Sequence, residues 1–181
     1  MVDLLVPVGE DDHVDGALDA PVVLVEYGDF ECPHCGRAYP IVKAAQRQLG
    51  ETLTLVWRQF PLSEAHPHAL RAAEASEAAG AQQRFWEMHD MLFEHQDALD
   101  DGDLLAYGNL LGLDVTRYAA ELANGTYRNK VRNEFRLGVR SGVNGTPTFF
   151  INGIRFDGDW SAPDAFISTL SLAAGHQPAS S

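Results

Sequence analysis

"ECPHC" (residues 31–35) contains both cysteines of this 181-residue chain, separated by one proline and one histidine. A structural disulfide gains most by closing a long loop. In the chain-entropy picture a four-residue ring is worth roughly 2 kcal/mol, against about 3 kcal/mol for a 15-residue loop. A staple here would fasten almost nothing. The pair is therefore reactive, or binds a metal, or is accidental, and the flanking sequence bears on the choice.

Upstream, "PVVLVEYGDF" (21–30) is a short apolar, β-branched run that reads as a buried strand ending at the cysteines. Downstream, "AYPIVKAAQRQLG" (38–50) reads as a helix stopping at Gly50, and "TLTLVWRQF" (52–60) alternates as a second strand up to Pro61. From 66 to 142 the pattern is helical. "RFWEMHDMLFEHQ" (84–96) puts Phe85, Met88, His89 and Leu92 on one face, and "YRNKVRNEFRLGVRSG" (127–142) spaces Val131, Phe135 and Val139 by four. "TPTFFINGIRFDGDW" (146–160) alternates around Asn152-Gly153, a tight-hairpin signal, and "PDAFISTLSLAAG" (163–175) closes as a helix. "HQPASS" (176–181) has the composition of a frayed tail. With no internal repeat and no separating linker, the order predicts one α/β domain with a helical insertion in its crossover. Its core spans about 12–62 and 143–174, its insertion about 66–142, and a disordered tail about 175–181.

In that order the CxxC opens a helix at the end of a strand. Unpaired N–H groups and the positive end of the helix dipole stabilise an anion there. Thiol pKa values at such sites fall to roughly 3.5–7.5. Three-residue spacing places both sulfurs on one face of the first turn, close enough to join. Cys32, at the outer end, is the expected exposed nucleophile, and Cys35 the shielded resolving thiol. His34 adds a cationic or hydrogen-bonding group that favours thiolate, and Pro33 suits a first turn where its missing N–H costs nothing.

Strand, CPHC, helix, strand, helical block and then "GTP" (145–147) before a hairpin together resemble the DsbA-like thiol:disulfide oxidoreductases of the thioredoxin superfamily. The resemblance covers residues 12 to 172. It implies a thioredoxin-like fold with a helical insertion, and dithiol–disulfide exchange with no cofactor beyond the redox-active Cys32–Cys35 disulfide. Cys32 would attack substrate disulfides, or be attacked when oxidised, and Cys35 would resolve the mixed disulfide. Pro147 matches the family's cis-proline beside the active site, with Thr146 before it presenting backbone to substrate. Glu26, six residues before Cys32, matches a buried acid that helps move the Cys35 proton. The partners implied are cysteine-containing protein or peptide substrates and an unidentified redox partner.

Plainer readings stand beside these. A CxxC is half of many zinc sites, with His34, His66 and His68 as further candidate ligands, but no second CxxC or HxxxH occurs. A zinc-binding or chaperone-like interaction protein, or a reductase of small disulfides or peroxides, remains open on residues alone. His66 and His68 flank a loop and a helix start, or line the groove near the sulfurs. Glu26 could lie at a strand edge, and Pro147 could be an ordinary trans turn proline. Arg128, Arg132, Arg136 and Arg140 read as a solvated helix face opposite Val131, Phe135 and Val139, and Phe85, Trp86 and Phe93 as core.

Charge limits the partners further. The net charge is −13, and nine Asp or Glu precede the first basic residue, Arg37. That balance argues against nucleic acid and anionic membranes, and no apolar run approaches the roughly 20 residues of a membrane span. The N-terminus lacks the basic start and apolar core of a secretory signal, so a cytoplasmic monomer is expected, with export of a leader-cleaved form as the alternative.

Overall fold

The computed structural model describes residues 3–175. Its centre is a five-stranded mixed sheet of His13–Asp15 (β1), Val22–Gly28 (β2), Leu53–Gln59 (β3), Thr148–Ile151 (β4) and Ile154–Phe156 (β5), ordered β1-β3-β2-β4-β5. β2 and β3 run parallel, with Glu26 beside Trp57, and the other pairs are antiparallel. Parallel neighbours need a crossover, supplied by Pro33–Leu49 (α1).

Alternation along β2 divides its side chains between two layers. Val22 and Leu24 pack with Val42 and Ala45 of α1 and with Phe166 of Pro163–Ala174 (α7). Val25 and Tyr27 face the other way, onto Phe60, Val143 and Phe150. The same parity puts Glu26 on the α1 side. Gly28 follows on that side, where an added Cβ would lie 2.2 Å from the Trp57 ring. Its missing side chain lets the indole lie across the end of the strand, over the start of the CxxC loop.

Five helices lie between β3 and β4: Ala69–Gly80 (α2), Phe85–Glu94 (α3), Asp101–Leu110 (α4), Val115–Asn124 (α5) and Arg128–Arg140 (α6). Met88, Leu92, Leu104 and Tyr118 form an apolar core among them that is continuous with Phe30, Trp57 and both cysteines. The helical block therefore forms one wall of the CxxC loop.

The structure departs from the sequence reading at several points. α1 is one helix from Pro33 to Leu49, joining the CxxC turn, which the sequence reading has opening a helix, to the stretch read separately as helix at 38–50, with Cys32 as N-cap. β1 has only three residues, too few to show a period, and is held by β3 and by His13 stacked on Phe85 at 3.5 Å. Val139 is 51% exposed and not on the buried face of α6. That face carries Val131, Phe135 and Gly138, where a Cβ would come within 2.8–2.9 Å of Phe60 and Tyr27, so α6 lies too close to the sheet for a side chain there. Arg132, Arg136 and Arg140 are exposed, but Arg128 turns inward to Glu74 at 2.6 Å. Asn152 and Gly153 adopt φ of 50° and 82°, as a two-residue hairpin turn requires. Gly175 caps α7, and residues 176–181 of the expected tail lie outside the described residues.

Candidate active site

Cys32 is the N-cap of α1, with extended backbone angles (φ −70°, ψ 122°). Its thiol donates to the Thr146 carbonyl at 3.5 Å, across the cis Thr146–Pro147 bond that precedes β4. Cys35 lies one turn along, fully buried. The hydrogen bond from the Cys35 thiol is the largest influence on Cys32, pushing its pKa down from 9.0 to about 5. Burial opposes this, while the Thr146 side chain and the backbone N–H groups of Cys35 and His34 reinforce it. The Thr146 hydroxyl is buried with no hydrogen-bond partner among the described residues. Burial first, then the bond to Cys32 and the charges of Glu26 and Cys32, push the Cys35 thiol well up. One negative charge is favoured in the pair, and it sits on Cys32.

Two expectations need correction. Cys32 is not exposed: it is only 3% accessible, because the Thr146 backbone and the apolar core around Phe30 cover it. The His34 ring does not face the thiol. It is exposed, and its Nδ1 accepts from Arg37 Nη2 at 2.6 Å, so only the backbone N–H of His34 favours the thiolate. Pro33, also exposed, holds the first turn. Glu26 is on a central strand, 3% exposed, which removes the strand-edge reading. Burial, then the charge of Cys32, push its pKa from 4.5 up to about 8, so it is largely protonated at pH 7.

The sequence reading missed the residues that hold this arrangement. Gln96, just beyond α3, donates from Nε2 to the carbonyls of Phe30 (2.8 Å) and Cys32 (3.0 Å). Its Oε1 fills the space beside Gly36, where a Cβ would lie 2.0 Å away. Asp29 accepts from the backbone N–H of Glu31 (2.8 Å) and Leu62 (2.9 Å) and from His66 Nδ1 (2.7 Å), while its carbonyl accepts from Cys32 N–H (3.1 Å). Arg155 of β5 donates to the Gly142 carbonyl and to Asn144 Oδ1 (3.2 Å), and Thr148 Oγ1 donates to the Gly145 carbonyl (2.7 Å), bracing the loop that carries Thr146. No spacing rule connects Gln96 or Arg155 to a CxxC. Asp29, three residues before Cys32, was the one within reach of a local argument.

His66 and His68 point at Asp29 and Glu31, the latter at 2.7 Å, and not at the sulfurs. Among the described residues no three His, Cys, Asp or Glu side chains gather as a metal-ligand set. Nor is any helix among them long and apolar enough to cross a membrane.

Residues 9–169 match the family described as Thioredoxin, and the chain belongs to that family. Within it, the fold is the DsbA-like form with a helical insertion. BdbD from Bacillus subtilis superposes with a TM-score of 0.79 at 23% identity, over 90% of this chain and 92% of that one. The thiol-disulfide exchange protein alpha-DsbA2 from Wolbachia pipientis gives 0.72 at 20% identity, over 87% and 86%. By sequence, the Na(+)/H(+) antiporter NhaA 1 of Salinispora arenicola is 45% identical over 176 residues. Those residues are 97% of this chain but 27% of that relative's length.

Proposed function

We propose that the chain is a protein-disulfide oxidoreductase that exchanges the Cys32–Cys35 pair with cysteine-containing proteins or peptides. The observation that carries this is the opposite tuning of two thiols in contact, Cys32 down to about 5 and Cys35 well up. In the oxidising direction a substrate thiolate attacks Cys32 Sγ, an S–S bond forms, and the Cys32–Cys35 bond breaks. Cys35 leaves with the electron pair and takes a proton from Glu26. A second substrate thiolate then attacks the substrate sulfur of the mixed disulfide and releases Cys32 as thiolate. The substrate has lost two electrons, the protein has gained them, and a separate redox partner must remove them. A stabilised Cys32 thiolate favours the reduced protein, so the reduction potential should lie above that of the cytosolic glutathione pool.

The experiment is turnover of insulin disulfides, combined with trapping. Cys35→Ser should accumulate mixed disulfides through Cys32, and Cys32→Ser should form none. Limited alkylation of the reduced protein near pH 6 should label Cys32 well before Cys35, and equal labelling would refute these roles. The antiporter relatives support a second reading, of the partner: a membrane transporter that shares a redox reaction with this module. Mixed disulfides of the Cys35→Ser variant recovered only with soluble proteins would remove that reading and leave the chemistry intact.

A further inference from the structure

Beside the cysteine loop, α6 and the loop after β3 enclose a groove of about 590 Å³. Its walls are apolar, with Leu62 and Leu70 on one side and Val131 and Phe135 of α6 on the other. Leu62, Leu70 and Phe135 are only half-buried, and Phe135 stacks on Phe60 at 4.3 Å. The groove adjoins the active site through one residue. Asp29 holds the N–H of Leu62 at 2.9 Å with its carboxylate, and that of Cys32 at 3.1 Å with its carbonyl.

The rim is basic in a chain of net charge −13. Arg132 lines the groove, and Arg136 and Arg140 follow at one-turn intervals, all three exposed on α6. None of the three holds an ion pair among the described residues, whereas Arg128 and Lys130 of the same helix are paired with the buried Glu74 and Glu77. Glu64, on the facing loop, is the one carboxylate lining the groove, and it too forms no ion pair there. Alongside the arginines, the row Val131, Phe135 and Val139 rises from buried to 51% exposed. Unpaired guanidiniums beside an apolar cleft complement an apolar side chain flanked by carboxylates. We propose that this groove is the substrate-selecting part of the exchange site. It takes a leucine-like side chain from an extended, cysteine-containing segment, while acidic residues next to that side chain meet Arg132 and Arg136. This deepens the exchange reading above and rests on it. An anionic lipid surface matches less well, because the overall charge opposes it and the groove admits a few side chains, not a plane.

The test uses the full chain with its Cys32–Cys35 disulfide formed. The probes are peptides with one cysteine, a glycine-serine spacer of three to five residues, a leucine and two aspartates. At roughly 3.3 Å per residue such a spacer carries the leucine past Leu62. Two peptide thiols lose two electrons to the protein disulfide and join as a peptide disulfide. Rates are taken relative to that with dithiothreitol, which has nothing to place in the groove. The aspartate peptide should react about tenfold faster than its twin with two lysines, against the pull of the overall charge. Arg132→Glu with Arg136→Glu should reverse that order. Ala65→Trp, at an exposed position lining the groove, should cut both rates severalfold. Equal rates for the twins in the parent, or an order that survives the double substitution, would overturn the proposal. Binding to phosphatidylglycerol vesicles that the double substitution abolishes, without any peptide preference, would assign the face to lipid and overturn it as well. If no thiol reacts, dithiothreitol included, the exchange reading fails by itself. Fluorescence anisotropy of the same peptides with serine for cysteine then decides the groove: the aspartate peptide must bind the parent more tightly than its twin.

Discussion

Glu26 and Glu77 are both 3% exposed, yet the two regions around them treat a buried carboxylate in opposite ways. Glu77 lies where α2 and α6 meet β1 and β3. It accepts from His13 Nε2 at 2.8 Å, Lys130 Nζ at 2.9 Å and Gln59 Nε2 at 2.9 Å. Burial pushes its pKa up, but His13, Lys130 and Gln59 together bring it down to about 2. Glu26, under the cysteines, has no side-chain hydrogen bond among the described residues and rises to about 8. A buried charge with a full set of partners ties elements together. A buried acid left without them keeps its proton available, and here it faces the thiol that must lose or gain one.

The largest effect that follows is on stability against pH. The Cys32 thiol is lowered from 9.0 unfolded to about 5 folded, so its contribution is complete above pH 9 and lost as pH falls to 5. Glu26 is raised from 4.5 to about 8, so its contribution is complete below pH 4.5 and lost as pH rises through 8. In the dithiol form the two slopes cancel between pH 5 and 8, where the folded chain carries on Glu26 the proton that the unfolded chain carries on Cys32. The disulfide has only the Glu26 slope. Reduced-minus-oxidised stability should therefore rise with pH, by at most about 1.4 kcal/mol per unit, a total of several kcal/mol. That exceeds the roughly 2 kcal/mol a four-residue ring supplies. Urea unfolding of both forms from pH 4 to 9 measures it, and a flat difference would remove the stabilised thiolate.

Next in size is the contrast between the carboxylates themselves. Glu77→Ala takes the carboxylate from His13 and leaves Lys130 with Glu134 alone, and should cost about 3–5 kcal/mol, with exchange chemistry kept in the folded fraction. Glu26→Gln replaces a neutral group by a neutral one at pH 7 and should change stability by less than about 1 kcal/mol. It should slow exchange, by up to about a hundredfold at neutral pH, and abolish the pH slope of the disulfide form. Equal destabilisation by the two substitutions would break the comparison. Smaller again is Gln96→Ala, which frees the carbonyls of Phe30 and Cys32 and should cost about 1–3 kcal/mol. If the loop matters to the thiolate, alkylation of Cys32 should change in that variant while far-UV circular dichroism does not.

The elements with a clear period or turn signal were legible in the sequence, as was the proximity of the two cysteines. β2, β3, the Asn152-Gly153 turn and the pairing of Cys32 with Cys35 are of this kind, because strand alternation and helix spacing act over a few residues. The family resemblance placed Glu26, Thr146 and Pro147, which no local rule connects to the cysteines. His34 was misread for a physical reason: adjacency fixes its backbone N–H but not its ring, and Arg37 one turn on takes the ring away. Gln96 reaches the site through a contact 64 residues long, and Arg155 braces its loop across 11 and 13 residues, contacts that only a folded chain defines. Val139 kept the helical period but lost the core to Gly138, because α6 approaches the sheet more closely than the pattern implies.

The path of the first described residues has a consequence for attachment. Asp3 bridges to Ile154 and Leu4 N–H bonds the Gly153 carbonyl, while Arg58 grips the carbonyls of Val6 and Pro7 and the carboxylate of Asp12. The segment thus passes from the β5 edge toward β1 like a strap fastened at both ends. Ile154 pairs with Ile151, which pairs with Leu24, whereas the cysteines follow Gly28 at the opposite end of β2. At roughly 3.3 Å per residue, four strand positions separate the two ends by about 13 Å. Any leash ahead of Asp3 would therefore leave from the end of the sheet remote from the sulfurs.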